Sequence, residues 1–132
     1  YENNLLFVGD VLFRLGCGRT FEGTYQQMQT SLQKILKISD VMTVYCGHEY
    51  TKNNLKFLEH FFGKNKILEQ IKKKIFKDIS CKGKSIPFNL GEEKKLNPFL
   101  NQKCKMGSEF RKKNKYSDFD FFKLLREEKD SF

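Results

Sequence analysis

The sequence predicts a layered α/β unit over residues 1–50, followed by an all-helical unit over residues 51–132. Two observations carry this reading. Two short apolar runs, at 5–8 and 42–46, each end in glycine plus a polar residue and enclose one helical stripe. Strand, helix, strand in that order marks a piece of a layered α/β fold. After Tyr50 the apolar residues recur at helical spacing only.

Leu5, Leu6, Phe7 and Val8 read as a buried strand closed by Gly9-Asp10. Gly16, Gly18 and Gly23 punctuate a loop over 16–24. Thr24 has the hydroxyl to cap a helix. Met28, Leu32, Ile35 and Leu36 form the apolar stripe of that helix. The second strand, at 42–46, runs into Gly47-His48. Thr51 is the expected cap of a helix carrying Leu55, Leu58, Phe61 and Phe62. Ile67, Leu68, Ile71 and Ile75 mark the next, with Lys72, Lys73 and Lys74 on its wet side. Ile86-Pro87 and Asn97-Pro98 bracket a loop or short helix, because proline disfavours helix in the residue before it. The polar, basic stretch 101–115 reads as a mobile surface segment. Ser117 and Asp120 then start a final helix bearing Phe121, Leu124, Leu125, Arg126 and Lys129.

Hydrophobic residues make up 39% of the 132-residue chain and charged residues 31%, a globular balance. No apolar run approaches the roughly 20 residues of a membrane helix. The net charge is +9, but only four of the 25 basic residues are Arg, the side chain suited to gripping phosphate and base edges. Basic and aromatic residues are not interleaved as in RNA-binding motifs. The charge leaves a second reading open, a non-catalytic basic module for an anionic partner such as nucleic acid. The four cysteines contain no C-x-x-C pair and read as reduced structural thiols. The chain opens on Tyr-Glu-Asn-Asn rather than Met and runs almost directly into a strand, so it reads as truncated.

Asp10 and His48 each follow a predicted strand. Ligands gather at the carboxyl ends of strands in layered α/β folds, and carboxylate and imidazole are both metal-capable. Taken alone, a Gly-Asp after a strand is more often a turn, and a lone His after Gly more often a structural residue.

The longer strings are more specific. Gly9-Asp10-x-Leu12-Phe13 comes first, then Gly16-Cys17-Gly18-Arg19-x-Phe21-Glu22-Gly23-Thr24. Tyr45-Cys46-Gly47-His48-Glu49-Tyr50-Thr51-x-Asn53-Asn54-Leu55-Lys56-Phe57 follows. Asn97-Pro98-Phe99 and Arg126-Glu127-Glu128-Lys129-Asp130-x-Phe132 complete the set. In this order and spacing they resemble glyoxalase II, the hydroxyacylglutathione hydrolases. The resemblance implies the C-terminal part of a metallo-β-lactamase αββα sandwich over 1–50 and a helical, substrate-binding C-terminal domain over 51–132. The implied activity is hydrolysis of S-D-lactoylglutathione to D-lactate and glutathione at a site of two divalent metal ions (zinc, iron or manganese). Two close cations make hydroxide available at neutral pH and stabilise the oxyanion formed from the thioester.

By this resemblance Asp10 bridges both metals and His48 binds the second. The remaining ligands, an H-x-H-x-D-H motif and a further histidine, lie upstream in the family and are absent from this sequence. The isolated chain is therefore expected to be inactive. Arg19, Phe21, Tyr50, Asn54, Arg126 and Lys129 match positions that contact glutathione. Two departures stand out: Phe21 where some members carry Tyr, and Glu127 where the family often has a second Arg. His60, Cys17 and Cys46 match no catalytic position and read as structural. The complete protein is expected to be cytoplasmic and monomeric, with S-acyl-glutathione as its partner and neither nucleic acid nor membrane.

Overall fold

A computed structural model of the chain describes residues 4–18, 24–63 and 65–132. Strand β1 (Leu5–Gly9) pairs in parallel with β4 (Thr43–Cys46), with Leu6 opposite Val44 and Phe7 opposite Tyr45. Parallel neighbours require a crossover, and helix α1 (Tyr25–Leu36) supplies it. Alternation along the strands buries Leu6 and Val44 on one face. Phe7 and Tyr45 stack at 5.3 Å on the other, outward face. A third strand, β5 (Phe88–Asn89), adds antiparallel to β4 and gives the order β1-β4-β5. A hairpin of β2 (Leu12–Phe13) and β3 (Gly16–Cys17) stands apart. The described chain is thus mixed α/β, mostly helical with small sheets.

Thr24 caps α1 in a reciprocal box with Gln27: its hydroxyl accepts from the Gln27 N–H, and its own N–H donates to the Gln27 side chain. Leu32 of the predicted stripe is buried, and Met28, Ile35 and Leu36 pack beside it. Helix α2 (Thr51–Phe62) departs from expectation at its start. Tyr50 occupies the cap position without a side-chain bond, and the Thr51 hydroxyl instead donates to Glu49 at 3.0 Å. Asn65 caps α3 (Lys66–Lys82), which ends on Gly83 in the left-handed conformation (φ 78°) that glycine adopts without a Cβ penalty. Leu68, Ile71 and Ile75 face inward, and the three lysines at 72–74 face water.

Between the two prolines lies more than a loop or short helix. Residues 88–89 form β5, and Asn89 then caps α4 (Leu90–Leu96). The basic stretch is not a loose surface segment either: it folds as α5 (Lys105–Lys113), with Cys104, Met106 and Gly107 buried. Ser117 accepts from the Asp120 N–H and opens α6 (Asp118–Asp130), whose first-turn acids suit the helix dipole. No helix among the described residues is long and apolar enough to cross a membrane.

One apolar cluster joins the sheet (Leu6, Val44, Phe88) to α1, α2, α3 and α6. Its densest part is aromatic. Phe57 meets Phe61, Phe99 and Phe132, and Phe110 meets Phe121 at 5.4 Å. Phe57 is fully buried, so Phe57→Ala is expected to cost ~3–5 kcal/mol in denaturant unfolding. A loss below ~1 kcal/mol would mean that this part of the core is not packed as described.

Polar groups are also buried where α4 meets the β2–β3 turn. Glu93 accepts from the Leu15 N–H at 2.6 Å and from the Asn97 amide at 2.8 Å. Burial pushes its carboxyl up to about 7, against those hydrogen bonds and the nearby Arg14 charge. A carboxyl raised in the folded state favours folding when protonated. That contribution is full below the unfolded value near 4.5 and is lost as the pH rises through about 7. Glu93→Gln keeps the acceptor and removes the titration. Unfolding measured from pH 5 to 8 should show the variant gaining on wild type, by up to ~3 kcal/mol at the alkaline end. Parallel pH profiles would contradict the buried, neutral-range carboxyl.

Candidate functional site

Parallel pairing of β1 and β4 brings their C-terminal ends to one edge of the sheet. There β1 turns at Gly9 into Asp10, and β4 runs through Gly47 to His48. The Gly47 N–H donates to the Gly9 carbonyl at 2.7 Å and ties the two exits together. The result is direct contact between the predicted pair: Asp10 Oδ1 lies 2.9 Å from His48 Nδ1. A carboxylate can only accept, so Nδ1 is the donor. Both side chains are at least half exposed.

Two motif glycines make room for Asp10. A Cβ on Gly18 would run into the Asp10 carbonyl oxygen, and one on Gly47 into its Oδ1. The sequence shows these glycines only as loop punctuation; in the fold each is needed for close approach.

Glu49, next to His48, is anchored away from the pair. Its carboxylate accepts from the Ser85 N–H and hydroxyl and from the Thr51 hydroxyl. Burial works against its charge, but these hydrogen bonds prevail and hold its carboxyl below the ordinary range.

Helix α6 supplies further residues of the site. Arg126 is buried, and its Nη1 donates to the Cys17 carbonyl at 2.8 Å and the Gly18 carbonyl at 3.4 Å. Its Nη2 and Nε meet Asp130 Oδ1 at 2.9 and 3.0 Å. Lys129 lies on the same helical face, with Nζ 5.3 Å from the Phe57 ring centroid and 5.7 Å from that of Phe132.

Asp10, His48, Arg126, Lys129, Cys17 and Gly18 all line a cavity of about 380 Å³. Tyr50 stacks on the His48 ring at 5.0 Å, and Phe13 meets Tyr50 edge-on at 4.9 Å, making an aromatic wall. Asn53 and Asn54 complete the lining. The Asn54 amide nitrogen is already committed to the Arg14 carbonyl at 3.0 Å. The Cys17 thiol is pushed up to about 11 by burial, despite Arg126 beside it, so it is held as a thiol rather than a nucleophilic thiolate. Burial raises Cys46 as well.

Six of the residues named from sequence thus line one cavity: Asp10, His48, Tyr50, Asn54, Arg126 and Lys129. Arg19 and Phe21 lie outside the described residues. His60 does not line it; its ring packs on Phe132 at 5.3 Å. Phe13 and Asn53 also line it, and nothing in the residue pattern distinguishes them from core and surface positions.

Among the described residues no third His, Cys, Asp or Glu gathers with Asp10 and His48. Even an open catalytic zinc site uses three protein ligands. The pair fits as part of a ligand set, with both side chains turned to one cavity, and is not a complete metal site by itself.

Comparison with known proteins identifies the family. The family described as "Hydroxyacylglutathione hydrolase C-terminus" matches residues 49–132. A hydroxyacylglutathione hydrolase of Bartonella henselae is 41% identical over 131 residues, covering 99% of this chain and 52% of the relative. One from Prochlorococcus marinus strain MIT 9301 is 45% identical over 102 residues, 77% of this chain and 42% of the relative. One from Psychromonas ingrahamii is 37% identical over 138 residues, 100% of this chain and 53% of the relative. The chain spans about half the length of the curated relatives it matches. With the C-terminal model covering most of its length, and motif residues from both ends of the sequence lining one cavity, the chain belongs to the hydroxyacylglutathione hydrolase family.

Proposed function

We propose that the complete protein hydrolyses the thioester of S-D-lactoylglutathione, and that this chain contributes two metal ligands and most of the glutathione-binding wall. The observation that carries this reading is that one cavity is lined by Asp10 and His48 together with Arg126 and Lys129. In this reading residues 1–50 are part of a metallo-β-lactamase-type αββα sandwich. Residues 51–132 are the substrate-binding domain, with β5 lent to the sheet. Asp10 and His48 would hold metal ions together with ligands from outside this chain. When bound, such ions supply hydroxide at neutral pH and polarise the thioester carbonyl.

The chain's own residues do the rest. Glutathione carries two carboxylates. Lys129 offers a cation at the cavity wall. Arg126 adds its field while its N–H groups hold the Cys17 and Gly18 carbonyls in place. Tyr50 and Phe13 give the thioester an apolar surface beside His48. Arg19 and Phe21 are proposed as further glutathione contacts on the strength of the motif. A thiolate leaves readily, which lessens the need for a general acid.

Calorimetric titration of the chain with glutathione tests the binding half. Lys129→Ala should weaken affinity by about tenfold, and Lys129→Arg should retain most of it. Equal affinity in wild type and the alanine variant would remove Lys129 from the site. Metal analysis and a thioester assay test the other half. The purified chain should carry substoichiometric metal and show no turnover. A tightly held dinuclear complement would contradict the proposed ligand division.

A further inference from the structure

Four backbone groups of the β2–β3 turn are bonded by side chains from α2 and α4. Glu93 takes the Leu15 N–H at 2.6 Å. The Asn97 amide nitrogen donates to the Gly16 carbonyl at 3.1 Å and the Phe13 carbonyl at 3.3 Å. Asn54 donates to the Arg14 carbonyl at 3.0 Å. Asn97 is itself fixed, because its Oδ1 accepts from the Phe99 and Leu100 N–H groups and its Nδ2 also meets Glu93. The turn needs such support. Leu15 sits at φ 65°, a left-handed conformation costing a branched residue roughly 1 kcal/mol or more.

The residues flanking the turn are the ones that face the cavity. Phe13 forms the aromatic wall with Tyr50, and the Cys17 carbonyl receives Arg126. We propose that Glu93 and Asn97 are positioning residues for the cavity: they clamp the strained turn so that Phe13 and the Cys17 and Gly18 carbonyls are presented to Tyr50 and Arg126. Neither residue touches the cavity; both act through the turn. This gives the Asn97-Pro98-Phe99 motif a task, and it rests on the reading of the cavity as the glutathione site.

The test uses the 132-residue chain, with two readouts. NMR follows the contact between the Phe13 and Tyr50 rings and the Arg126 Nε–H signal, and needs no ligand. Calorimetry follows glutathione affinity. Glu93→Ala and Asn97→Ala, compared while circular dichroism shows them folded, should lose the ring contact and bind glutathione about tenfold or more weakly. Glu93→Gln should preserve both. Leu68→Ala, a core truncation outside the cavity lining, should lower stability yet leave both readouts in place. Should the alanine variants not fold, Asn97→Ser removes the long amide reach with a smaller cavity and serves instead. The proposal is overturned if the clamp variants keep the ring contact and the Arg126 signal, or if Leu68→Ala disturbs them equally. A wild-type chain that fails to bind glutathione would defeat the functional reading, while the NMR readouts would still decide the clamp.

Discussion

The site depends on the burial of one guanidinium. Arg126 joins α6 to the strand ending at Cys17, a contact between residues 109 positions apart. Burying a cation is costly unless its donors are satisfied. Here Nη1 serves two backbone carbonyls, Nη2 and Nε share Asp130, and the Phe99 ring lies 5.6 Å from Cζ. A lysine has no planar fork with which to make these bonds in several directions at once. The contact fixes the last helix against the hairpin. It thereby sets the distance between the cation-bearing wall and the strand ends that carry Asp10 and His48.

The positive charge is distributed in a way that narrows its meaning. Most lysines occupy the wet faces of helices, as at 72–74 on α3, or make exposed ion pairs such as Lys74 with Glu92. Such pairs contribute little to stability. Among the described residues, Arg126 and Lys129 are the Lys and Arg side chains that line the cavity. The net charge of +9 is therefore mainly a property of the solvated surface, and a poor guide to the partner.

Much of the fold was legible because short-range rules governed it. Thr24 and Ser117 cap helices through side-chain oxygens, and apolar spacing set the inward faces of α1 and α3. Local rules failed where tertiary contacts decided. Leu15 hides a tight hairpin, since no turn propensity places leucine at positive φ; Glu93 and burial of its side chain hold it there. Thr51 was drawn from capping by Glu49 and Ser85. The stretch 101–115 is polar overall, yet Met106, Gly107 and Phe110 seat a helix against the core. Of the site, the strand-end pair and the Arg-x-x-Lys face were readable. The bracing from α4 was not, because Glu93 and Asn97 lie about 80 residues from the turn they hold.

The central claim is that the chain's binding surface is this cavity rather than its basic exterior. Mapping backbone and side-chain NMR shifts during a glutathione titration tests it most directly. Coincident shifts at Cys17, Gly18, His48, Tyr50, Arg126 and Lys129, saturating together, are the predicted result. Shifts confined to the lysines of α5, with the cavity residues unmoved, would contradict the account.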